Sequence, residues 1–384
     1  MAMIYLDHNA TTPLCSEARD AMAPWLEQLT GNPSSIHAHG RRARAVVDDA
    51  RDRIASLLGG KPHEIIFTSG GTESCNLGVM GLARRHRTPK KTHLVSAATE
   101  HHAVLHSMRS LAASEGFELT EVPVEPSGLV DSERFSEALR PETLLASVMI
   151  ANNETGVIQP IKELAAICRA RGILFHTDAV QAFGKIHCPP SDLGIDALSA
   201  TAHKFYGPAG AGFLWVRSGV SIDSIQHGGF HENERRPGTE NVLAIAGMAA
   251  AADVAFREMH PGVESTRQGD LRERLWRGIS KIDPTSVRNG MGAPVLANTL
   301  NVSFPGRDGE TLLMGLDLEG VSASSGSACM VGSLTASHVL LAMGAGEEMA
   351  RATVRFSLGR GTTIGDIDAA LGALKKVLER QSRK

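Results

Sequence analysis

The sequence has few aromatic residues, few cysteines and almost no net charge. Aromatic residues make up 4% of the 384 positions, and the formal net charge is −3 at pH 7. A balance this close to neutral gives no field that would recruit nucleic acid or an anionic membrane. The five cysteines form no C-x-x-C pair, which disfavours a disulfide framework or a thiolate zinc site. We therefore expect a cytoplasmic protein in a reducing setting, with at least one reactive thiol.

Long hydrophobic runs are also missing. The longest apolar stretch, residues 242–252, is rich in Ala and Gly and too short to cross a bilayer. Residues 1–13 show no basic flank followed by an apolar core, so we expect no signal peptide. The 42% of hydrophobic residues describes an ordinary globular protein, and the length suits two domains that share a large core.

Short β-branched runs alternate with polar or glycine-rich turns and with helical patterns. Strands are predicted at residues 64–68, 93–96, 144–150 and 173–177, and the first leads into a helix from Glu73. This alternation predicts an α/β fold with a mostly parallel central sheet and helices on both faces. Because polar residues at the strand ends of such sheets converge on one crevice, we expect ligands to bind there.

The last third of the chain has a different pattern. Residues 259–268 are more polar than the apolar segment before them, and residues 283–294 are rich in turn formers. We place a domain boundary near residue 258. The larger domain then covers residues 15–258, and a smaller α/β domain covers residues 1–14 and 259–384.

Two residues at predicted strand ends could serve a pyridine cofactor. Asp178 ends an apolar run, where its carboxylate could pair with a protonated ring nitrogen or simply cap a helix. Lys204 follows the strand-like residues 197–199. It could form a Schiff base if burial favours the free amine, or it could be an ordinary surface charge. Neither residue alone decides between these alternatives.

The segment S-G-G-T-E-S at residues 69–74 joins a predicted strand to a predicted helix. Glycines let the backbone approach a ligand, and free N–H groups at a helix start favour a phosphate. The same segment could be a plain turn with Thr72 as the helix N-cap. No P-loop lysine and no complete G-x-G-x-x-G motif accompanies it, which disfavours a nucleotide.

The most unusual segment is the Gly/Ser-rich run at residues 324–329, which ends in Cys329. Small neighbours suit a mobile loop, about residues 324–337, that presents a thiol, and the thiolate is the reactive form. The other four cysteines lie in helical or apolar contexts and are interpreted as structural. Arg355 lies in an apolar strand-like run, where it needs either a substrate carboxylate or an internal salt bridge.

Pairs of histidines occur at positions 37/39, 101/102 and 227/231. None matches H-E-x-x-H or a mixed Cys/His spacing, so we expect no metal site. His101 offers a flat ring that could stack on a cofactor and act as a general acid or base.

These segments occur together in the order of one known family. The chain resembles the group I cysteine desulfurases, which are class V aminotransferases within the fold-type I pyridoxal-phosphate enzymes. The resemblance runs nearly end to end. Besides the segments above, it rests on YLDHNATTP at residues 5–13, GNPSSIH at 31–37, RPGTEN at 236–241, NTLNVSF at 298–304 and RFSLGR at 355–360.

The resemblance implies pyridoxal 5'-phosphate as the cofactor and a homodimer as the assembly. Lys204 would hold the cofactor covalently, Asp178 would pair with its ring nitrogen, and His101 would stack on its ring. Further contacts are implied for Gly71, Thr72, Thr201 and His203 at the phosphate, for Thr239 at the phosphate of the neighbouring subunit, and for Asn153 and Gln181 at the ring oxygen.

The resemblance also implies the reaction. L-Cysteine would bind through Arg355 and Asn153 and become L-alanine, while Cys329 carries the sulfur as a persulfide to an acceptor or iron–sulfur scaffold protein. A selenocysteine lyase, another class V aminotransferase, or a subunit that mainly binds partners are the alternatives. The chain departs from the family at Phe230, Asn233 and Glu234, where Gly, Arg and Gly are usual.

Overall fold

The computed structural model describes residues 3–27, 30–260, 262–325 and 336–381. The strands are β1 Ile4–Tyr5, β2 Ile65–Thr68, β3 His93–Ala97, β4 Glu118–Val122, β5 Thr143–Ser147, β6 Leu174–Asp178, β7 Ala197–Thr201, β8 Gly212–Val216, β9 Val287–Arg288, β10 Thr299–Ser303, β11 Val321–Ser322 and β12 Thr353–Ser357. The helices are α1 Ser16–Glu27, α2 Ala38–Leu57, α3 Gly71–His86, α4 His102–Glu115, α5 Ser132–Ala138, α6 Ile161–Ala170, α7 Pro190–Leu193, α8 Val242–Met259, α9 Val263–Ile282, α10 Gly309–Leu318, α11 His338–Ala342, α12 Glu347–Arg351 and α13 Ile364–Gln381. Over these ranges no helix combines the length and apolarity needed to cross a membrane.

A seven-stranded sheet with the order β2-β8-β7-β6-β5-β3-β4 forms the centre of the fold. The five strands β7, β6, β5, β3 and β4 run parallel to one another. The strand β8 is antiparallel to both of its neighbours, β2 and β7. The strands β2, β3, β5 and β7 are buried at every position. Strands buried on both faces need helices on both sides of the sheet. This arrangement confirms the predicted fold class.

Successive residues of the central strands enter two different apolar clusters. Ile66 and Leu94 belong to the cluster that contains residues of α3 and α4. Their neighbours Phe67 and Val95 belong to the cluster that contains residues of α2, α6 and α8. This alternation follows from the two-residue period of a strand. The apolar segment that begins at Val242 forms α8, which packs against α1 and α2.

A third apolar cluster, which we call the small unit, surrounds the antiparallel sheet β9-β10-β12 and includes Leu6 and residues of α9, α10 and α13. α9 begins within the more polar stretch of residues 259–268. Only Leu271, Leu275 and Ile279, on one face of this helix, are buried. α8 ends at Met259 and α9 begins at Val263, near the predicted boundary. Leu296 nevertheless packs into the larger cluster, so the division into two domains stays a prediction.

The parallel strands bring their carboxyl ends to one edge of the sheet. β2 has the same direction as β7, because β8 is antiparallel to both. The loops after β2, β3, β5, β6 and β7 therefore start at the same edge, as the crevice rule for such sheets predicts. We call this the carboxyl edge.

The loop in which the chain departs from the family has an unusual backbone. Glu232, Asn233 and Glu234 have φ values of 49°, 54° and 64°, which lie in the left-handed region. Side chains other than those of Gly, Asn and Asp are strained there. The backbone at Glu234 therefore gives a physical reason for the glycine that the family usually places there.

Candidate active site

A cavity of about 330 Å³ lies at the carboxyl edge. This size falls within the range of small-ligand sites. Its walls include the predicted residues Gly71, Thr72, His101, Asn153, Asp178, Gln181, Thr201, His203, Lys204 and Arg355. Thr239 is exposed and does not line this cavity, so its contact with a neighbouring subunit stays a prediction. Cys329 lies outside the described residues.

Lys204 is held by the N-terminal segment of the chain. Its Nζ donates hydrogen bonds to the backbone carbonyls of Asn9 and Ala10, both at 2.6 Å. Tyr206, two residues later, has a strained φ of 68°. The Tyr206 N–H donates to Oγ1 of Thr12 at 2.7 Å, which holds this turn in place. Contacts with a distant segment therefore set the position of the lysine.

Asp178 is a buried carboxylate at the end of β6. Burial raises the pKa of this group to about 6, although the Val180 N–H at 2.7 Å and the nearby Lys204 oppose the change. The residues that follow Asp178 form turns, so it does not cap a helix. A carboxylate in this position gains stability from a cationic N–H group in the cavity, such as a protonated pyridine nitrogen.

The start of α3 supplies the anion-binding end of the cavity. The helix begins at Gly71, two residues before the predicted start at Glu73. The first N–H groups of a helix have no partner within it, and they favour an anion there. A Cβ atom at position 71 would lie 2.8 Å from Cγ2 of Val180, so this close packing requires glycine. Thr201 and His203 line the same cavity.

His101 is the N-cap of α4, and its Nδ1 accepts a hydrogen bond from the Ala103 N–H at 3.1 Å. In the neutral ring the proton is therefore on Nε2. Burial, and next the charge of Lys204, lowers the pKa of His101 to about 4. At neutral pH the cavity thus has an uncharged ring with one N–H donor.

Arg355 is buried in β12 and makes two contacts with its guanidinium. It pairs with Asp7 at 2.7 Å and donates to the Asn153 carbonyl at 2.9 Å. The sequence left two alternatives for Arg355, and one of them, the internal salt bridge, is present. Its Nε is buried and has no hydrogen-bond partner in the described part of the protein. An unsatisfied buried donor beside the cavity suits an anionic ligand such as a carboxylate.

Sequence analysis gave no role to Asn9, which connects several site residues. Its carbonyl accepts from Nζ of Lys204 and from Nε2 of Gln181 at 3.0 Å. Its side chain donates to the carbonyl of Asn153 at 3.2 Å and to Oγ1 of Thr299 at 2.9 Å. The only signal for Asn9 in the sequence is its place in the segment YLDHNATTP.

Lys185 is the second residue that sequence analysis missed. Its Nζ donates to Oε1 of Gln181 at 2.9 Å. Burial, and next repulsion from Lys204 and Arg355, lowers the pKa of Lys185 to about 7. Nothing in the local sequence marks it, apart from its spacing of four residues from Gln181.

The chemistry of these groups fits pyridoxal 5'-phosphate. Asp178 can pair with the ring nitrogen, Lys204 can hold the cofactor covalently, and the start of α3 can bind the phosphate. The unsatisfied Nε of Arg355 remains for the carboxylate of an amino-acid substrate. The described residues contain no group of three or more His, Cys, Asp or Glu that could hold a metal ion.

One known protein family matches almost the whole chain. The family model described as aminotransferase class-V matches residues 4–370. The chain belongs to the aminotransferase class-V family. This match confirms the predicted family, and the cofactor of this family is pyridoxal phosphate.

Individual relatives of this class V protein carry more specific names. It is 46% identical over 377 residues to the cysteine desulfurase IscS of Dictyoglomus turgidum, which covers 98% of this chain and 95% of that protein. A solved structure named NifS-like protein matches with a TM-score of 0.91 and 34% identity, over 98% of this chain and 100% of the other. Another, described as SspA in complex with cysteine, matches with a TM-score of 0.81 and 34% identity, over 92% of this chain and 98% of the other.

Proposed function

We propose that this chain is a cysteine desulfurase that converts L-cysteine to L-alanine and transfers the sulfur to Cys329. The observation that carries this proposal is the meeting of Lys204, the buried Asp178 and the unsatisfied Nε of Arg355 at one cavity. These groups suit a pyridine cofactor and an amino-acid carboxylate at the same time. The names of the relatives agree with cysteine as the amino acid.

Each group has a separate task in this proposal. Bound pyridoxal phosphate supplies an electron sink that makes the α-hydrogen of an amino acid acidic. Arg355 binds the substrate carboxylate and so fixes its orientation. Nζ of Lys204 moves the proton at the substrate α-carbon, and Nε2–H of His101 donates a proton within the cavity. The buried carboxylate of Asp178 holds positive charge at the ring nitrogen.

The sulfur-transfer step is assigned to Cys329. Its thiolate forms an S–S bond to the substrate sulfur while the substrate C–S bond breaks. The electron pair of that bond stays on carbon, which takes up a proton to give alanine, and Cys329 becomes a persulfide. The flanks of residues 326–335 support this assignment. Ser324 exchanges backbone hydrogen bonds with Arg355, and Oγ of Ser337 donates to Glu154 beside Asn153.

We also propose that Cys329 passes its sulfur to an acceptor protein for iron–sulfur cluster assembly in the cytoplasm. The support is the IscS name shared by several relatives. A homodimer belongs to the same proposal, in which exposed Thr239 reaches the phosphate site of the neighbouring subunit.

The test is alanine and sulfide release from L-cysteine by the purified protein and by matched variants. Lys204→Ala removes the amine that holds the cofactor, and Cys329→Ala removes the sulfur carrier. Cys15→Ala is the control, because Cys15 is a partly exposed cysteine away from the cavity. Visible absorbance is recorded with each assay to report cofactor uptake.

We expect the native protein and Cys15→Ala to be yellow and active, and Cys329→Ala to be yellow but inactive. Lys204→Ala should release no alanine. A Cys329→Ala variant with native activity on another amino acid would identify an aminotransferase or a lyase instead. Release of selenide from selenocysteine without activity on L-cysteine would identify a selenocysteine lyase.

A further inference from the structure

Lys185 lies next to the site in surroundings that do not favour a cation. Its Nζ donates to Oε1 of Gln181 at 2.9 Å and lies 3.5 Å from Oδ1 of Asn9. The charged groups that act on it are the cations Lys204 and Arg355. A half-buried amine near two cations costs stability. Packing alone therefore does not explain a lysine at this position.

The local backbone brings Lys185 back to the site. Gly184 has a φ of 73°, and a Cβ atom there would lie 2.7 Å from Cβ of Ala255 in α8. Only glycine allows both this conformation and this close approach. Lys185 is then one turn beyond Gln181, on the side of the carboxamide oxygen.

The hydrogen bonds of Gln181 fix which of its atoms is available to a ligand. A carboxamide has one acceptor oxygen and two N–H donors. The oxygen accepts from Lys185, and Nε2 donates to the carbonyl of Asn9 at 3.0 Å. One N–H of Nε2 remains, and Gln181 lines the 330 Å³ cavity. The reversed amide would place N–H groups against Nζ of Lys185 and an oxygen against the Asn9 carbonyl, and both contacts are repulsive.

We propose that Lys185 is a positioning residue that locks the Gln181 amide so that an N–H donor, and not the oxygen, faces the ring oxygen of the cofactor. The inference rests on the proposed function and deepens it. A donor there stabilises an anionic ring oxygen, whereas an amide that can turn would repel it for part of the time. Lys185 does not line the 330 Å³ cavity, so its effect passes through Gln181.

The experiment compares four variants of the full chain with the native protein. Lys185→Met removes the donor at similar length, Lys185→Arg keeps a donor, and Gln181→Ala removes the amide, alone or combined with Lys185→Met. Lys162→Met is the control, because Lys162 is exposed on α6. Titration of cofactor-free protein gives the dissociation constant of pyridoxal phosphate. The visible absorption maximum and the melting temperature of the cofactor-free protein are measured on the same samples.

We expect Lys185→Met and Gln181→Ala each to weaken binding by about tenfold and to shift the absorption maximum in the same direction. The double variant should bind no more weakly than Gln181→Ala, because the two residues act as one unit. Lys185→Arg should recover part of the affinity. Cofactor-free Lys185→Met should melt no lower than the native protein, because it removes a half-buried amine that Lys204 and Arg355 repel.

Several results would overturn the inference. Native affinity and absorbance in Lys185→Met would show that Gln181 needs no second restraint. Additive losses in the double variant would show that Lys185 acts independently of Gln181. A lower melting temperature with unchanged affinity would identify a structural role. Native protein that takes up no pyridoxal phosphate would contradict the proposed function itself, which separates the two failures.

Discussion

The carboxyl edge and the small unit use charged residues in opposite ways. At the carboxyl edge Asp178 is buried and Lys185 is half-buried, and burial raises the pKa of Asp178 to about 6 and lowers the pKa of Lys185 to about 7. In the small unit Arg274 pairs with Asp368 at 2.7 Å, and each side chain is about half exposed, at 48% and 50%. Water screens the second arrangement more strongly than the first.

This difference indicates where a ligand contributes most to stability. Charges that are buried without a full set of partners gain when a complementary group arrives. Charges that are already paired in water have little left to gain. Arg355 joins the two regions, since it belongs by strand to the small unit and by burial to the site.

The largest effect should follow from Asp178→Asn. We expect the rate of alanine release to fall by about 10²–10³-fold, because an amide cannot hold positive charge at the ring nitrogen. Measurement of kcat together with visible absorbance tests this. Asp192→Asn, at an exposed position, is the control and should keep native activity. A variant of Asp178 with native kcat would contradict the contrast between the regions.

The same substitution should have the opposite effect on stability. Folding raises the pKa of Asp178 from 3.8 to about 6, so the folded state binds the proton more tightly than the unfolded state. The cofactor-free protein then loses stability as pH rises from about 4 to about 6, by roughly 3 kcal/mol from this group. At pH 7 cofactor-free Asp178→Asn should therefore be more stable to urea than native, whereas at pH 3.5 this difference should vanish.

The next effect concerns the residue that joins the two regions. Arg355→Lys keeps the charge but loses the planar fork, so we expect KM for L-cysteine to rise by about tenfold or more. Asp7→Asn removes only the partner of Arg355 and should raise KM less. Steady-state kinetics on both variants test this. Equal KM values for Arg355→Lys and the native protein would argue against carboxylate binding by this guanidinium.

A glycine-to-alanine substitution, made once in each region, distinguishes an effect on packing from an effect on ligand binding. Gly278→Ala in α9 places a methyl group against Leu371, and should lower the free energy of unfolding by about 1–3 kcal/mol with kcat unchanged. Gly71→Ala, which crowds Val180, should weaken binding of pyridoxal phosphate. Urea unfolding and cofactor titration are compared for the two variants. Loss of cofactor affinity in Gly278→Ala would show that packing in the small unit also affects ligand binding at the carboxyl edge.

The smallest effect should come from the ion pair of the small unit. Arg274→Ala should leave the free energy of unfolding nearly unchanged, because Arg274 and Asp368 are about half exposed and water screens their pairing. Urea unfolding at low and high salt measures this. A clear loss of stability that persists in high salt would show that this pair is less screened than its exposure indicates.

Much of the fold and of the site could be predicted from the sequence. Local patterns predicted the α/β alternation, and ordered motifs identified Lys204, Asp178, His101 and Arg355, all of which line one cavity. Helix boundaries were less well predicted. α3 begins at Gly71 instead of Glu73, because Gly70 and not Thr72 precedes its first turn. No helix was predicted at α9, since a helix with one buried face has a mostly polar sequence.

The sequence by itself determined the family, the cofactor and the residue types of the site, because these depend on short motifs in a fixed order. Only the tertiary structure decided which partners those residues have. The pairing of Arg355 with Asp7 joins positions 348 residues apart. Asn9 bridges Gln181 and Lys204 across the site, and Lys185 restrains Gln181 from the far side. Such contacts arise from packing of distant segments around one buried cavity, and burial then sets the pKa of each group.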